Sequence, residues 1–215
     1  GGAFDITVAP LMDIWGFVRR HKVIPSKDAM DTALRSVGYK NIELDPEGLS
    51  IRFLNKGTKI DFGGIAKGYA VDRAKDVLAS HGIRNALVNL GGNMFALGAA
   101  PGKKTWKIGV QDPGNKGKLL QAFELTDMAI STSGNYERFF EIGGKRYSHI
   151  INPVTGEPCQ GIMSVTVVSD SAEKADALST AIFVMGAEKG LELARVLKDI
   201  KVLILREDGE IILYP

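Results

Sequence analysis

Three short segments hold side chains whose types and spacing could do chemistry. In Ala175-Asp176-Ala177-Leu178-Ser179-Thr180-Ala181, a carboxylate and two hydroxyls recur at i, i+3 and i+4. On a helix all three oxygens would share one face. Such oxygens suit a hard cation like Mg²⁺, which needs few protein carboxylates when phosphates fill the other positions. The same spacing also describes a polar stripe facing water. Its alanine, leucine, isoleucine and phenylalanine flanks point instead to a face near the core, where polar groups need partners.

The second segment, Asp61-Phe62-Gly63-Gly64-Ile65-Ala66-Lys67-Gly68-Tyr69, passes from an acid through two glycines into a helix. Glycines let backbone approach a ligand closely, and a helix N-terminus offers unpaired N–H donors to an anion. The run is not a P-loop, because no Ser or Thr follows Lys67-Gly68 in the required pattern. A tight turn with a surface lysine accounts for the spacing equally well. The third segment is Tyr147-Ser148-His149-Ile150-Ile151-Asn152-Pro153-Val154-Thr155-Gly156. Its histidine, before an Asn-Pro turn, could act as a general base near neutral pH, although a lone histidine is more often structural. His21 and His81 lie in charged and helix-end contexts. Ser131-Thr132-Ser133-Gly134-Asn135-Tyr136 lacks a Gly-x-Ser-x-Gly elbow, which argues against a serine hydrolase.

Periodicity and turn residues predict the elements that must position these groups. Ser26 caps a helix that Gly38 stops, and strands at 50–54 and 59–61 flank a turn at Asn55-Lys56-Gly57. A helix runs from Gly64 to about Ser80, with Ile65, Tyr69, Ala70, Ala74, Val77 and Leu78 as its apolar positions. Strands follow at 86–90, 106–110, 119–125, 128–131 and 164–168. Asp170-Ser171-Ala172-Glu173 reads as a capping box opening a helix to about Val184. A helix at 188–197 and strands at 202–205 and 211–214 close the chain. Runs of strands beside separate helices predict an α+β fold, with mixed or antiparallel sheets and packed helices, as one domain over 1–215.

The 215 residues are 45% hydrophobic and 24% charged, ordinary for a globular chain with one good core or two small ones. A net charge of +2 gives no argument for nucleic acid or an acidic membrane surface. Arg19-Arg20-His21-Lys22 reads as a solvated turn. With Cys159 as the sole cysteine no intrachain disulfide can form. No apolar stretch approaches the roughly 18 residues a membrane helix requires. The chain opens Gly1-Gly2-Ala3-Phe4-Asp5, without an initiator methionine, in what reads as mid-domain sequence. We therefore expect a longer or processed protein, in which the lack of a leader says nothing of compartment.

Taken in order, the segments resemble the ApbE family, the FAD:protein FMN transferases. The resemblance rests on Gly2-Ala3-Phe4-Asp5-Ile6-Thr7-Val8-Ala9-Pro10-Leu11, Trp15-Gly16-Phe17, the run 61–69, Asn89-Leu90-Gly91-Gly92, and the runs 131–136, 149–156 and 175–180. It implies an enzyme that uses Mg²⁺, cleaves FAD, attaches FMN to a Thr or Ser hydroxyl of a partner protein by a phosphoester bond, and releases AMP. It further implies that Ala3, Phe4, Asp5, Asp61, Lys67 and Ile151 contact FAD. By the same resemblance the Gly64 carbonyl and the side chains of Asp176 and Thr180 hold the metal, and His149 is the base. Ser179 falls where some relatives carry a further acid, and joins the expected metal set as a hydroxyl. The implied acceptors are flavoprotein subunits of membrane redox complexes carrying Asp-x-x-Ser/Thr-Gly-Ala-Ser/Thr. The implied location is periplasmic, or the outer face of the cytoplasmic membrane, with a lipid anchor on a further N-terminal segment. Two alternatives stay open: an Mg²⁺-dependent FAD pyrophosphatase, and a flavin-binding protein without catalysis, against which Asp176, Thr180 and His149 argue.

Overall fold

Strands that pair with their sequence neighbours dominate the chain, and the fold is α+β as predicted. The computed structural model describes residues 1–19, 21–115 and 117–215, so Arg20 of the predicted basic turn lies outside the described residues. The helices are α1 (Ala9–Ile14), α2 (Lys27–Leu34), α3 (Ala66–Ser80), α4 (Ala172–Met185) and α5 (Ala187–Leu197). The strands are β1 (Ile42–Asp45), β2 (Ser50–Phe53), β3 (Ala86–Leu90), β4 (Asn93–Leu97), β5 (Trp106–Gln111) and β6 (Leu119–Leu125). They continue with β7 (Met128–Gly134), β8 (Phe139–Ile142), β9 (Lys145–Ser148), β10 (Ile162–Ser169), β11 (Lys201–Arg206) and β12 (Ile211–Tyr214). Two compact units result: Gly1–Phe62 with Glu137–Gln160, and Gly63–Tyr136 with Gly161–Pro215.

The first unit is built on aromatic packing. Leu11, Met12, Trp15 and Phe17 bury against Met30, Ala33, Phe140 and Ile151. Trp15 Nε1–H donates to the Gly156 carbonyl at 2.7 Å, which satisfies the one polar atom of the largest buried ring. Gly156 has φ +76°, and a Cβ there would run into Met30 Sδ, so the glycine of the Asn-Pro turn is a packing requirement. The predicted strand at 59–61 is not formed. The turn before it exists, with Asn55 Oδ1 accepting from Gly57 N–H at 2.9 Å, but the chain beyond bonds elsewhere. Thr58 Oγ1 donates to the Ser36 carbonyl at 3.0 Å and Asp61 N–H to the Ile6 carbonyl at 2.7 Å. β2 pairs instead with β1 upstream of it. The β8–β9 hairpin, which the sequence reading passed over, turns on Gly143 and Gly144, both at positive φ.

In the second unit one sheet is antiparallel throughout, in the order β12-β11-β10-β7-β4-β3. Its two faces do different jobs because side chains alternate along each strand. On one face Ala96, Ile130, Val168 and Leu203 meet Ile108, Val110, Phe123 and Leu125 of the β5–β6 ribbon. On the other face β7 directs Ser131 and Ser133 at α4, while α3 packs over β3 and β4. The buried side of α3 differs from the predicted apolar stripe: Tyr69 and Val77 are exposed, and Gly68, Val71 and Asp72 are buried. The stripe follows close helix–helix contact, which favours a small residue, rather than hydrophobicity.

Candidate active site

The site begins with how α3 and α4 end against each other. Four N–H groups at a helix start lack intrahelical acceptors. In α4 the predicted Asp170/Glu173 box does not form. Ser171 is the N-cap, its Oγ accepting from Lys174 N–H at 3.2 Å. Asp72 of α3, buried, supplies the remaining acceptors. Its Oδ1 accepts from Ala172 N–H at 2.9 Å, and its Oδ2 from Glu173 N–H at 3.0 Å and Ser171 Oγ at 2.7 Å.

One turn further along α4 the arrangement is reversed. Asp176, 3% exposed, accepts on Oδ2 from the Gly68 N–H at 3.0 Å. Gly68 is the third residue of α3, whose own N-cap, Ile65, offers no side-chain oxygen. A Cβ at Gly68 would run into the Ala172 carbonyl oxygen, so only glycine allows this approach. Asp176 Oδ1 lies 3.5 Å from Ser131 Oγ, which hydrogen-bonds Asn93 Oδ1, and 3.8 Å from Lys67 Nζ. Lys67 Nζ also donates to the Gly63 carbonyl at 3.3 Å. Burial pushes the Asp176 carboxyl above the usual carboxylate range, opposed by the Gly68 N–H, the Lys67 charge and the Ser131 hydroxyl.

Beside this carboxylate the hydroxyls form a cluster. Ser133 Oγ is 2.8 Å from Ser179 Oγ and 3.1 Å from Thr180 Oγ1, and Ser179 Oγ donates to the Asp176 carbonyl at 2.9 Å. Ser179 is fully buried and ties α4 to β7, a task it performs whether or not it reaches a metal. The polar side chains here are hydroxyls and one acid, and among the described residues no group of three or more His, Cys, Asp or Glu is placed to hold a metal ion. That chemistry suits Mg²⁺, which keeps waters and takes substrate phosphate oxygens, and it does not suit Zn²⁺. Asp176 and Thr180 supply oxygens of that kind, and Gly64 lies on the turn leading into α3.

The remaining predicted residues fall in the first unit. Asp5 accepts from Thr7 N–H at 2.8 Å, Thr7 Oγ1 at 2.6 Å and Tyr39 N–H at 2.9 Å, so it orders its own loop. Ala3, Phe4 and Asp61 are half-buried, whereas Ile151 is buried and bridges to Pro158. His149 follows β9. Its backbone N–H donates to the Arg138 carbonyl at 2.9 Å, and its Nδ1 lies 3.1 Å from the same oxygen. A carbonyl can only accept, so the neutral ring is the Nδ1–H tautomer and the lone pair sits on Nε2. An open cavity of about 470 Å³ bordered by Phe17, Lys22, Arg138 and Phe140 contains none of the predicted site residues.

Sequence reasoning missed Gly68, Asp72, Asn93 and the task of Ser131. Each is a polar or minimal residue inside an apolar pattern, and that was the available signal. Asp72 follows Val71 on the inward stripe of α3, and Asn93 opens β4 ahead of Met94-Phe95-Ala96-Leu97.

The sequence profile described as the ApbE family matches residues 1–204. The chain belongs to the ApbE family. Among curated relatives, the FAD:protein FMN transferase of Treponema pallidum is 35% identical over 98% of this chain and 62% of its own length. The one from Rhodobacter capsulatus is 36% identical over 100% of this chain and 41% of its own. This ApbE-family chain thus spans less than two thirds of either relative. Among solved structures, the ApbE protein of Thermotoga maritima superposes with TM-score 0.92 at 40% identity, over 99% of this chain and 70% of that one. The flavin transferase ApbE of Vibrio cholerae superposes with TM-score 0.87 at 34% identity, over 99% and 68%.

Proposed function

We propose that this chain is the catalytic part of an Mg²⁺-dependent FAD:protein FMN transferase. Family membership and the activity named for its relatives support the reaction class. The observation that carries the mechanism is Asp176, a buried carboxylate 3.5 Å from the Ser131 hydroxyl with the Lys67 ammonium 3.8 Å away. That is a poor place for an unpartnered charge and a good one for a cation and a pyrophosphate together.

Asp176, Thr180 and the Gly64 carbonyl would hold Mg²⁺, which supplies charge neutralisation at the pyrophosphate as the bond to AMP breaks. Lys67 contributes a point charge to phosphate oxygens. His149 Nε2 takes the proton from an acceptor Thr or Ser hydroxyl, the oxygen bonds to the FMN phosphorus, and AMP leaves with the electrons of the broken P–O bond. Ala3, Phe4, Asp61 and Ile151 line the flavin nucleotide. The acceptors are flavoprotein subunits of membrane redox complexes with an Asp-x-x-Ser/Thr-Gly-Ala-Ser/Thr motif, modified on the outer side of the cytoplasmic membrane. Family membership alone supports this last part. Incubation with FAD, Mg²⁺ and a peptide bearing that motif, followed by mass spectrometry, tests the reading. A peptide gaining the mass of FMN minus water supports it. Free FMN and AMP with unmodified peptide would replace it with the pyrophosphatase.

A further inference from the structure

The two links between α3 and α4 are spaced alike. Asp72 meets Ala172, and four residues away along each helix Gly68 meets Asp176. The helices therefore run antiparallel with their N-terminal turns side by side, and each is capped by a carboxylate of the other. Between the links Gly68 lies against the Ala172 carbonyl with no room for a Cβ. The register of α3 on α4 is thus held at both ends of one helical turn. Lys67 and Gly68 sit at one end with Asp176, and Asp72 holds the other.

We propose that Asp72 is a positioning residue for the Asp176 centre, acting through the first turn of α4 and touching neither substrate nor metal. The inference rests on the proposed reading of Asp176 as a metal-holding group. With three donors on its two oxygens, the Asp72 carboxylate makes charge-assisted bonds that a neutral amide cannot reproduce, because an NH₂ group would face N–H donors. Losing them lets the start of α4 slide on α3. Asp176 then turns away from Gly68, Lys67 and Ser131. Outer groups that orient a metal ligand typically change metal affinity by about 10–100-fold when removed.

The experiment is a Mn²⁺ titration, with FAD present, followed by the electron paramagnetic resonance signal of free Mn²⁺ for wild type, Asp72→Asn and Ser171→Ala. Circular dichroism and a melting curve establish which variants are folded. Wild type should bind saturably, and folded Asp72→Asn should bind about tenfold or more weakly. Ser171→Ala, which removes one of the three donors to Asp72, should shift the affinity less and in the same direction. A role confined to helix stability would lower the melting temperature and leave the Mn²⁺ affinity of the folded protein unchanged. An affinity of folded Asp72→Asn within about twofold of wild type therefore overturns the proposal. If Asp72→Asn does not fold, Ser171→Ala decides, and an unchanged affinity overturns it there. Wild type that binds no Mn²⁺ overturns the metal reading of Asp176 and this inference with it.

Discussion

Lys67 Nζ stands 3.8 Å from Asp176 Oδ1 while donating to the Gly63 carbonyl, so a half-exposed ammonium partly answers a buried carboxylate. At that distance the pair is not a tight ion pair. It leaves the acid short of positive charge, which is why burial prevails and its carboxyl sits above the usual range.

The first prediction follows from that shortage. Asp176→Asn removes a charge the fold pays to bury, while the amide oxygen can still accept from Gly68. Without metal the variant should melt at, or up to about 4 °C above, the wild-type temperature. The upward shift that Mg²⁺ and FAD give wild type should vanish. A thermal melt with and without Mg²⁺ checks both. A metal-free variant melting well below wild type would mean that the fold itself needs the charge.

Gly68→Ala should be costly for a residue on a helix, where alanine is ordinarily preferred. The added methyl meets the Ala172 backbone oxygen, which cannot move aside without shifting α4. We expect a loss of about 1–3 kcal/mol in denaturant unfolding. A neutral or stabilising result would show that the contact between α3 and α4 is looser than described.

Ser179→Asp adds a second carboxylate to the inward face of α4. It breaks the bonds of Ser179 to Ser133 and to the Asp176 carbonyl, so stability without metal should fall. The Mg²⁺ requirement should move to lower concentration, since a hard cation gains an anionic oxygen. Unchanged Mg²⁺ dependence would place Ser179 outside the metal set and leave it as the tie between α4 and β7.

The fold class, most strands and the helix holding Asp176 were legible in the sequence because local patterns set them. Ser171 sits where side-chain capping predicts, one residue from the expected cap. What was not legible came from long-range partners. Asp72 caps a helix a hundred residues later, a bond with no local signature. Residues 59–61 alternate like a strand, yet the Asp61 N–H bonds to the Ile6 carbonyl, and Thr58 just before them bonds to that of Ser36. In the site, the polar face of α4 read correctly as inward, since its apolar flanks leave no other side for the core. Its partners on β7 could not be read, because a run of Ser and Thr looks like a loop until the sheet covers one face.

His149→Ala should lower transfer to an acceptor peptide by about 10²-fold or more, within the range for loss of a general base. Affinities for FAD and Mg²⁺ should hardly change. In wild type, transfer should need the neutral imidazole and therefore rise with pH. Initial rates against pH at saturating acceptor check this, and an undiminished variant would remove His149 from the chemistry.

Cys159 should be a slow nucleophile. Burial pushes its thiol up to about 12, so at pH 8 it stays protonated and is a weak nucleophile. Cys159 is half-buried by surface area, so a thiol reagent should label the folded chain slowly at pH 8 and faster as pH rises, and rapid stoichiometric labelling at pH 8 would contradict the raised thiol.

The most direct test of Asp176 as the metal and phosphate centre is AMP release from FAD across a Mg²⁺ titration, comparing wild type with Asp176→Asn. AMP is counted whether the flavin half passes to a protein or to water. Wild type should release it with a saturable dependence on Mg²⁺, and the variant should release none above background at any Mg²⁺ concentration. A folded Asp176→Asn protein releasing AMP at the wild-type rate and Mg²⁺ requirement would contradict the account.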